Sequence, residues 1–349
     1  MSLCVGEAPL YTRRMSNLER RPTATVSVDC RPVAQQPVHE VLTASAVDLG
    51  EGTPVRRLLP KRQRATIGAW CFVDHYGPQD IAGRAGMRVP PHPHIGLQTV
   101  TWLLEGEVLH RDSLGTEQLI RPGQLNLMTA GRGIAHSEES PGDHPPVLHG
   151  VQLWTALPER SAGVEPSFEH LPELPTAQTA GIRVTVLMGE LLGARSPARA
   201  YSELVGADLA VGAATDENLV LRPDFEHGAV VASGEAAIDG VVLRPGKLLY
   251  LGTGRDHMAV RTAGPARLLL LGGAPFGEPL ILWWNFVART NDEIAQARAD
   301  WKAGARFGVV HGSPTEPMRF LQFWILPSAP RWSRRCSSAS YLCGSSPWA

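Results

Sequence analysis

LIRPGQLNLMTAGR, residues 119–132, returns at residues 242–255 as VLRPGKLLYLGTGR. Arg-Pro-Gly, a leucine and a closing Gly-Arg recur in step. Upstream, WLLEGE (102–107) corresponds to VVASGE (230–235), with a small difference in spacing. Pro-Gly between apolar runs is turn chemistry, because proline presets one dihedral and glycine accepts the left-handed one. Each copy therefore reads as a β unit closed by a tight turn, and two copies in one chain predict two similar β domains in tandem.

The rest of the chain has the same texture. TIGAWCFVDH (66–75), EVLHRDSLG (107–115), VLHGVQLWTAL (147–157), IRVTVLMGEL (182–191) and GAVVASGEAAIDG (228–240) are short apolar runs cut by Gly, Pro, Asp or Asn. Many short strands at regular spacing predict an all-β barrel or sandwich. One helix stands out, TNDEIAQARADWKAG (290–304). Thr290 and Glu293 form a capping box, Ile294, Ala297 and Trp301 share a face, and Gly304 ends it.

Composition excludes some partners. Lys and Arg number 33 against 34 Asp and Glu, so there is no basic surplus for nucleic acid or an anionic membrane. The most apolar stretches, ARLLLLGG (266–273) and PLILWWNFVA (279–288), fall well short of the ~20 residues of a membrane helix. Cys4, Cys30, Cys71, Cys336 and Cys343 are odd in number and contain no C-x-x-C, a pattern of reduced thiols. A cytoplasmic protein is expected.

Chemistry concentrates in PPHPHIGLQTVTW (90–102). Residues i and i+2 of a strand point to one face, about 6.7 Å apart, so His92 and His94 project together. Pro93 faces away, where its missing N–H costs least. AGRGIAHSE (130–138) supplies a second such pair, His136 and Glu138. Three imidazoles and one carboxylate suit Fe(II), Mn, Ni, Cu, Co or Zn. Four ligands on an octahedral ion leave two positions for substrate and oxygen. The second copy is a control. Counting from the shared Gly-Glu and Gly-Arg pairs, its equivalents are Val220, Arg222, Ala259 and Arg261, two aliphatic side chains and two cations with no metal-ligand chemistry. The other histidines carry milder expectations: His110 as a satisfied or exposed residue with an outer role at the metal left open, His75 as a turn organiser, His227 and His257 on the surface. Trp283 and Trp284 are expected in packing.

HPHIGLQTVTWLLEGEVLHRDSLG, MTAGRGIAHSEE and GGAPFGEPLILWWNFVARTNDEIAQARADW resemble the pirin family of the cupin superfamily, over about residues 40–308. The resemblance implies a bicupin: two antiparallel β-barrels (double-stranded β-helices) in tandem, with few short helices. It implies one metal, iron foremost, on His92, His94, His136 and Glu138. It also implies quercetin 2,3-dioxygenase-like turnover of a small aromatic substrate with O₂, Glu138 acting as base. The alternative it carries is a metal- or redox-sensing regulator that works through a protein partner. Gln98 stands where the family commonly has Glu, which predicts a local change of polarity without loss of metal. The expected division is a poorly ordered leader (1–37), a metal-binding barrel (38–173), a second barrel without ligands that includes helix 291–303 (174–312), and an atypical, disordered tail (313–349).

Overall fold

The computed structural model describes residues 25–27, 37–49 and 53–318. Most of the expected leader and tail, with four of the five cysteines, lies outside the described residues. Cys71 is a free, buried thiol, pushed up to about 12 chiefly by burial.

The alternating runs build two antiparallel barrels, each a large sheet facing a four-stranded one. In the first, the large sheet runs in the order Ser167–Leu171, Leu125–Thr129, Leu97–Glu105, Val147–Ala156, Trp70–Asp80, Thr53–Leu59, Ser45–Leu49. Facing it are Arg88–His94, Ile134–Glu139, Val108–Asp112 and Glu117–Ile120. The second barrel repeats the plan. Its large sheet runs Thr176–Gln178, Ile182–Leu191, Leu204–Val211, Ala266–Gly273, Glu226–Ser233, Lys247–Gly252, Glu40–Thr43, with Ala194–Arg195 beside Ile182–Leu191. Its small sheet runs Thr215–Val220, His257–Thr262, Ala236–Ile238, Val241–Leu243. The repeated Arg-Pro-Gly forms the same turn twice. Gln124 N–H donates to Arg121 O and Lys247 N–H to Arg244 O, both at 3.1 Å, with Gly123 and Gly246 in the left-handed region at φ +85° and +91°.

The large sheets pack against each other. One continuous core takes Leu58, Trp70, Val100 and Val151 from the first barrel and Leu187, Leu204, Val230 and Leu269 from the second. Strand Leu97–Glu105 is consequently buried at seven successive positions. Its odd-numbered Thr101 faces the first barrel's interior, where it meets Glu138. Its even-numbered Trp102 crosses to the second barrel and donates its indole N–H to Asp208 at 3.0 Å. Trp70 is wedged more deeply. Its Nε1–H is shared by the carbonyls of Val205 (3.0 Å) and Gly272 (3.1 Å). A Cβ on Gly206 would lie 2.7 Å from its ring, so that glycine makes the slot.

The chain crosses between barrels more often than a division at one point allows. Glu40–Thr43 pairs with Lys247–Gly252, so the segment assigned to the start of the first barrel completes the second. At the other end, Leu280–Trp283 and Phe286–Ala288 form a small sheet with Thr25–Ser27. The helix, Asn291–Lys302, starts at the expected cap, with Thr290 Oγ1 accepting from Glu293 N–H at 3.2 Å. Its Ile294 and Ala297 pack with Ile95, Ala135 and Phe286. The helix was expected within the second domain, yet it covers the first barrel, because capping sets where a helix begins and not what it packs against. Residues 313–318 are likewise ordered against that barrel: Met318 N–H donates to Pro91 O at 2.9 Å, and Trp301 Nε1–H to Met318 O at 2.8 Å. No helix among the described residues is long and apolar enough to cross a membrane.

Candidate metal centre

Strands Arg88–His94 and Ile134–Glu139 are neighbours in the small sheet, with Ile134 opposite His94 and His136 opposite His92. Alternation along each strand turns His92, His94 and His136 into the barrel. Their rings stand 4.4–4.9 Å apart, centroid to centroid, and their donor atoms lie within 4.8 Å of one another. The bend that follows this strand holds Gly96, with φ +69°, where a Cβ would lie 2.1 Å from Val287 O. Only glycine allows the crossing strand Phe286–Ala288 to lie that close. The crossing brings Asn285 O to 3.0 Å from His94 Nδ1.

Each imidazole has its outer nitrogen engaged. A carbonyl only accepts, so His94 Nδ1–H donates to Asn285 O, and His92 Nδ1–H to Pro90 O at 2.8 Å. Both Nε2 atoms are left as lone pairs. His136 is set through two groups. Asp112 is held below the usual carboxylate range: burial pushes it up, but the hydrogen bonds it accepts from His110 and Thr116 outweigh that. Its carboxylate accepts from His110 Nε2–H at 3.1 Å. His110 Nδ1 can then accept from His136 Nδ1–H at 3.4 Å, which leaves His136 Nε2 unprotonated as well.

His94 Nε2 and His136 Nε2 therefore face each other as lone pairs at 3.0 Å. Two such nitrogens repel unless a cation lies between them. The separation matches the edge of about 3 Å spanned by two nitrogens at about 2.1 Å from one ion when they subtend a right angle. His92 Nε2 is buried with no hydrogen-bond partner. Burial lowers His92 to about 4 and holds His94 and His136 well below the ordinary histidine value. All three rings are neutral at pH 7, as metal binding requires. The residues fit a divalent transition ion.

Glu138 lies beside this triad. Its carboxylate groups with His110 and His136, again within 4.8 Å, so His136 is common to both sets. Thr101 Oγ1–H donates to Glu138 Oε1 at 2.9 Å. Burial pushes the carboxyl up, partly offset by the Thr101 bond.

Several expectations change. His110 belongs to the site, behind His136, with Phe168 stacked on its ring at 4.5 Å. The i, i+2 spacing of His110 and Asp112 in VLHRDS was the available signal. Asn285 acts through its backbone, which no side-chain pattern reports. Gln98 spends its amide elsewhere than on the three histidines: its Nε2 donates to Thr129 Oγ1 and to Arg199 O, both at 2.9 Å. It ties the first barrel to a loop of the second. The repeat alignment also shifts by two residues. Ile134 opposes His94 and the matching His257 opposes Val220, so His94 and His92 correspond to Val220 and Asn218. Spacing upstream differs between the copies, and counting alone did not see it.

His227, expected on the surface, is 1% exposed. His257 is exposed as expected, and Trp283 and Trp284 are buried in packing. His75 organises no turn. It lies buried within strand Trp70–Asp80, its Nε2 2.9 Å from His149 Nε2. Burial foremost lowers the pair to about 3 and about 4. The folded state thus holds both rings neutral, while unfolded histidine titrates near 6.5. Stability is complete above pH 6.5 and declines as pH falls toward 4, because the unfolded chain takes up protons first. We expect the denaturation midpoint of metal-loaded protein to drop between pH 7 and pH 5, and this drop to shrink in His149→Gln.

A second prediction concerns the relay behind His136. Asp112→Ala removes the acceptor that fixes the His110 tautomer. Metal affinity should fall about 10–100-fold with the ligands intact, read by competition with a chromogenic chelator.

Family comparisons agree with this architecture. The family models for Pirin and for the Pirin C-terminal cupin domain match residues 52–155 and 206–308. A Pseudomonas aeruginosa protein, whose name carries a provisional quercetin 2,3-dioxygenase assignment, is 49% identical over 84% of this chain and 93% of its own. A pirin-like protein of Caulobacter vibrioides is 38% identical over 76% of this chain and 93% of its own. The crystal structure of a quercetin 2,3-dioxygenase from Acinetobacter baumannii superimposes with a TM-score of 0.79 at 42% identity, covering 84% of this chain and 97% of that one. With both barrels matched in order, this chain belongs to the pirin family.

Proposed function

We propose that this protein is a metal-dependent dioxygenase, cytoplasmic, that opens the ring of a flavonol such as quercetin or a related aromatic enol. The observation that carries the reading is the approach of His94 Nε2 to His136 Nε2 at 3.0 Å beside the partnerless Nε2 of His92. His92, His94 and His136 would hold the ion, with Glu138 as fourth ligand and Fe(II) as the first candidate. Bound there, the ion supplies a Lewis acid for the enol oxygens and an electron path to O₂.

The chain's own residues set the conditions for that chemistry. Three neutral imidazoles and one carboxylate leave a divalent ion with a net charge of about +1, which favours an enolate over the neutral enol. Glu138 is the base that takes the hydroxyl proton. The Thr101 hydroxyl holds its Oε1, and its enclosed position favours keeping the proton once taken. Trp154, edge-on to His94 at 5.1 Å, and Phe168, stacked on His110, give the histidines apolar neighbours. Dioxygenation puts both oxygen atoms of O₂ into the products, so no reductant has to be bound. The named activity of the Pseudomonas and Acinetobacter relatives supports this substrate class.

The test is elemental analysis of purified protein with quercetin loss followed under air and under argon. We expect O₂-dependent turnover with one metal per chain, and a loss of at least about 100-fold in Glu138→Gln. A fully iron-loaded protein that consumes no O₂ with quercetin or related enols would overturn the reading and leave the metal-sensing regulator.

A further inference from the structure

The second barrel has a cavity at the end where the first barrel carries its histidines. The ladders set the correspondence. His94 opposes Ile134 as Val220 opposes the matching His257, and Gln98 opposes Thr129 as His227 opposes the matching Gly252. Val220 and His227 both line this cavity, whose volume is about 810 Å³, within the range that takes drug-sized molecules.

Its buried wall is apolar: Leu191, Ala198, Leu204, Val205, Leu221 and Phe225. Two buried polar side chains interrupt it: Ser196, whose hydroxyl is spent on Leu187 O at 2.7 Å, and His227, whose Nδ1 has no hydrogen-bond partner. Burial lowers it to about 4, so at pH 7 the ring is neutral and offers one donor and one acceptor. Charges at the rim are paired. Arg222 reaches Glu203 at 2.8 Å and Asp224 at 2.5 Å, and Arg195 reaches Glu190 at 2.6 Å. Among the described residues, no metal-capable trio includes His227.

We propose that the second barrel is a binding site for a small, uncharged, hydroxylated aromatic molecule, with its ring on the apolar wall and its hydroxyl on His227. A hydroxyl both donates and accepts, so it serves either tautomer. A carboxylate brings a charge that no unpaired cation awaits, and its burial is costly. A bare hydrocarbon leaves the histidine unsatisfied. The site is separate from the metal centre and does not depend on turnover there.

The experiment uses the full, metal-loaded chain. Calorimetry with p-cresol, toluene and benzoate measures affinity, and a crystal soaked in 4-bromophenol locates the ring by bromine anomalous scattering. We expect bromine density in the cavity, and p-cresol binding at least about fivefold tighter than toluene or benzoate. His227→Phe should weaken p-cresol by about fivefold to tenfold. Leu221→Trp should abolish binding in the cavity while metal content and quercetin turnover stay unchanged, with Ala198→Trp as the second blocking variant should the first misfold. Bromine at the metal centre alone, equal affinity for toluene, tighter binding of benzoate, or indifference to both His227→Phe and the blocking variants would each overturn the proposal.

Discussion

Alanine in place of His94 is expected to leave the purified protein essentially free of metal, and to abolish O₂-dependent turnover with it. The substitution removes the Nε2 that faces His136 Nε2 at 3.0 Å and the ring whose other nitrogen is held by Asn285 O. Changes behind a ligand already cost about 10–100-fold in affinity, and loss of a ligand should cost more. His92→Ala should behave alike. The measurement is metal per chain after dialysis against a weak chelator, with the denaturation midpoint taken alongside to show that the barrel is still folded. Metal retained at one per chain in His94→Ala would remove the triad from the reading altogether.

The second large effect is on stability. Trp70→Ala should destabilise the protein by about 3–5 kcal/mol, read from chemical denaturation at pH 7. The indole fills the slot above Gly206 and sits in the core shared by both barrels. Its N–H also serves two carbonyls, Val205 O and Gly272 O. Truncation leaves a cavity and withdraws that donor from buried backbone, and each adds to the loss. Trp70→Phe keeps most of the volume and should cost less. If Trp70→Ala lies within about 1 kcal/mol of the parent, the barrels do not depend on each other as the shared core implies.

The histidine triad was open to sequence reading because it is built from local geometry. A strand sends residues i and i+2 to one face whatever surrounds it, so His92 with His94, and His136 with Glu138, could be paired before any fold was known. The repeated Arg-Pro-Gly turn was legible for the same reason, since its dihedrals are written in its own residues. His110 and Asp112 had that spacing too. Their role stayed hidden because it depends on which nitrogen of His136 they meet across the sheet.

What the amino-acid sequence determined by itself was the two-barrel plan, the helix with its Thr290 cap, and the histidines that share a face. Tertiary structure alone decided where those pieces went. Glu40–Thr43 joined the second barrel, the 291–302 helix closed over the first, Asn285 lent a carbonyl to His94, and Gln98 reached Arg199. It also buried His75 and His227. Periodicity reports which face of an element is apolar, and a capping box where a helix begins. Neither names the surface that will cover that face, because this is settled by contacts between residues far apart in the chain.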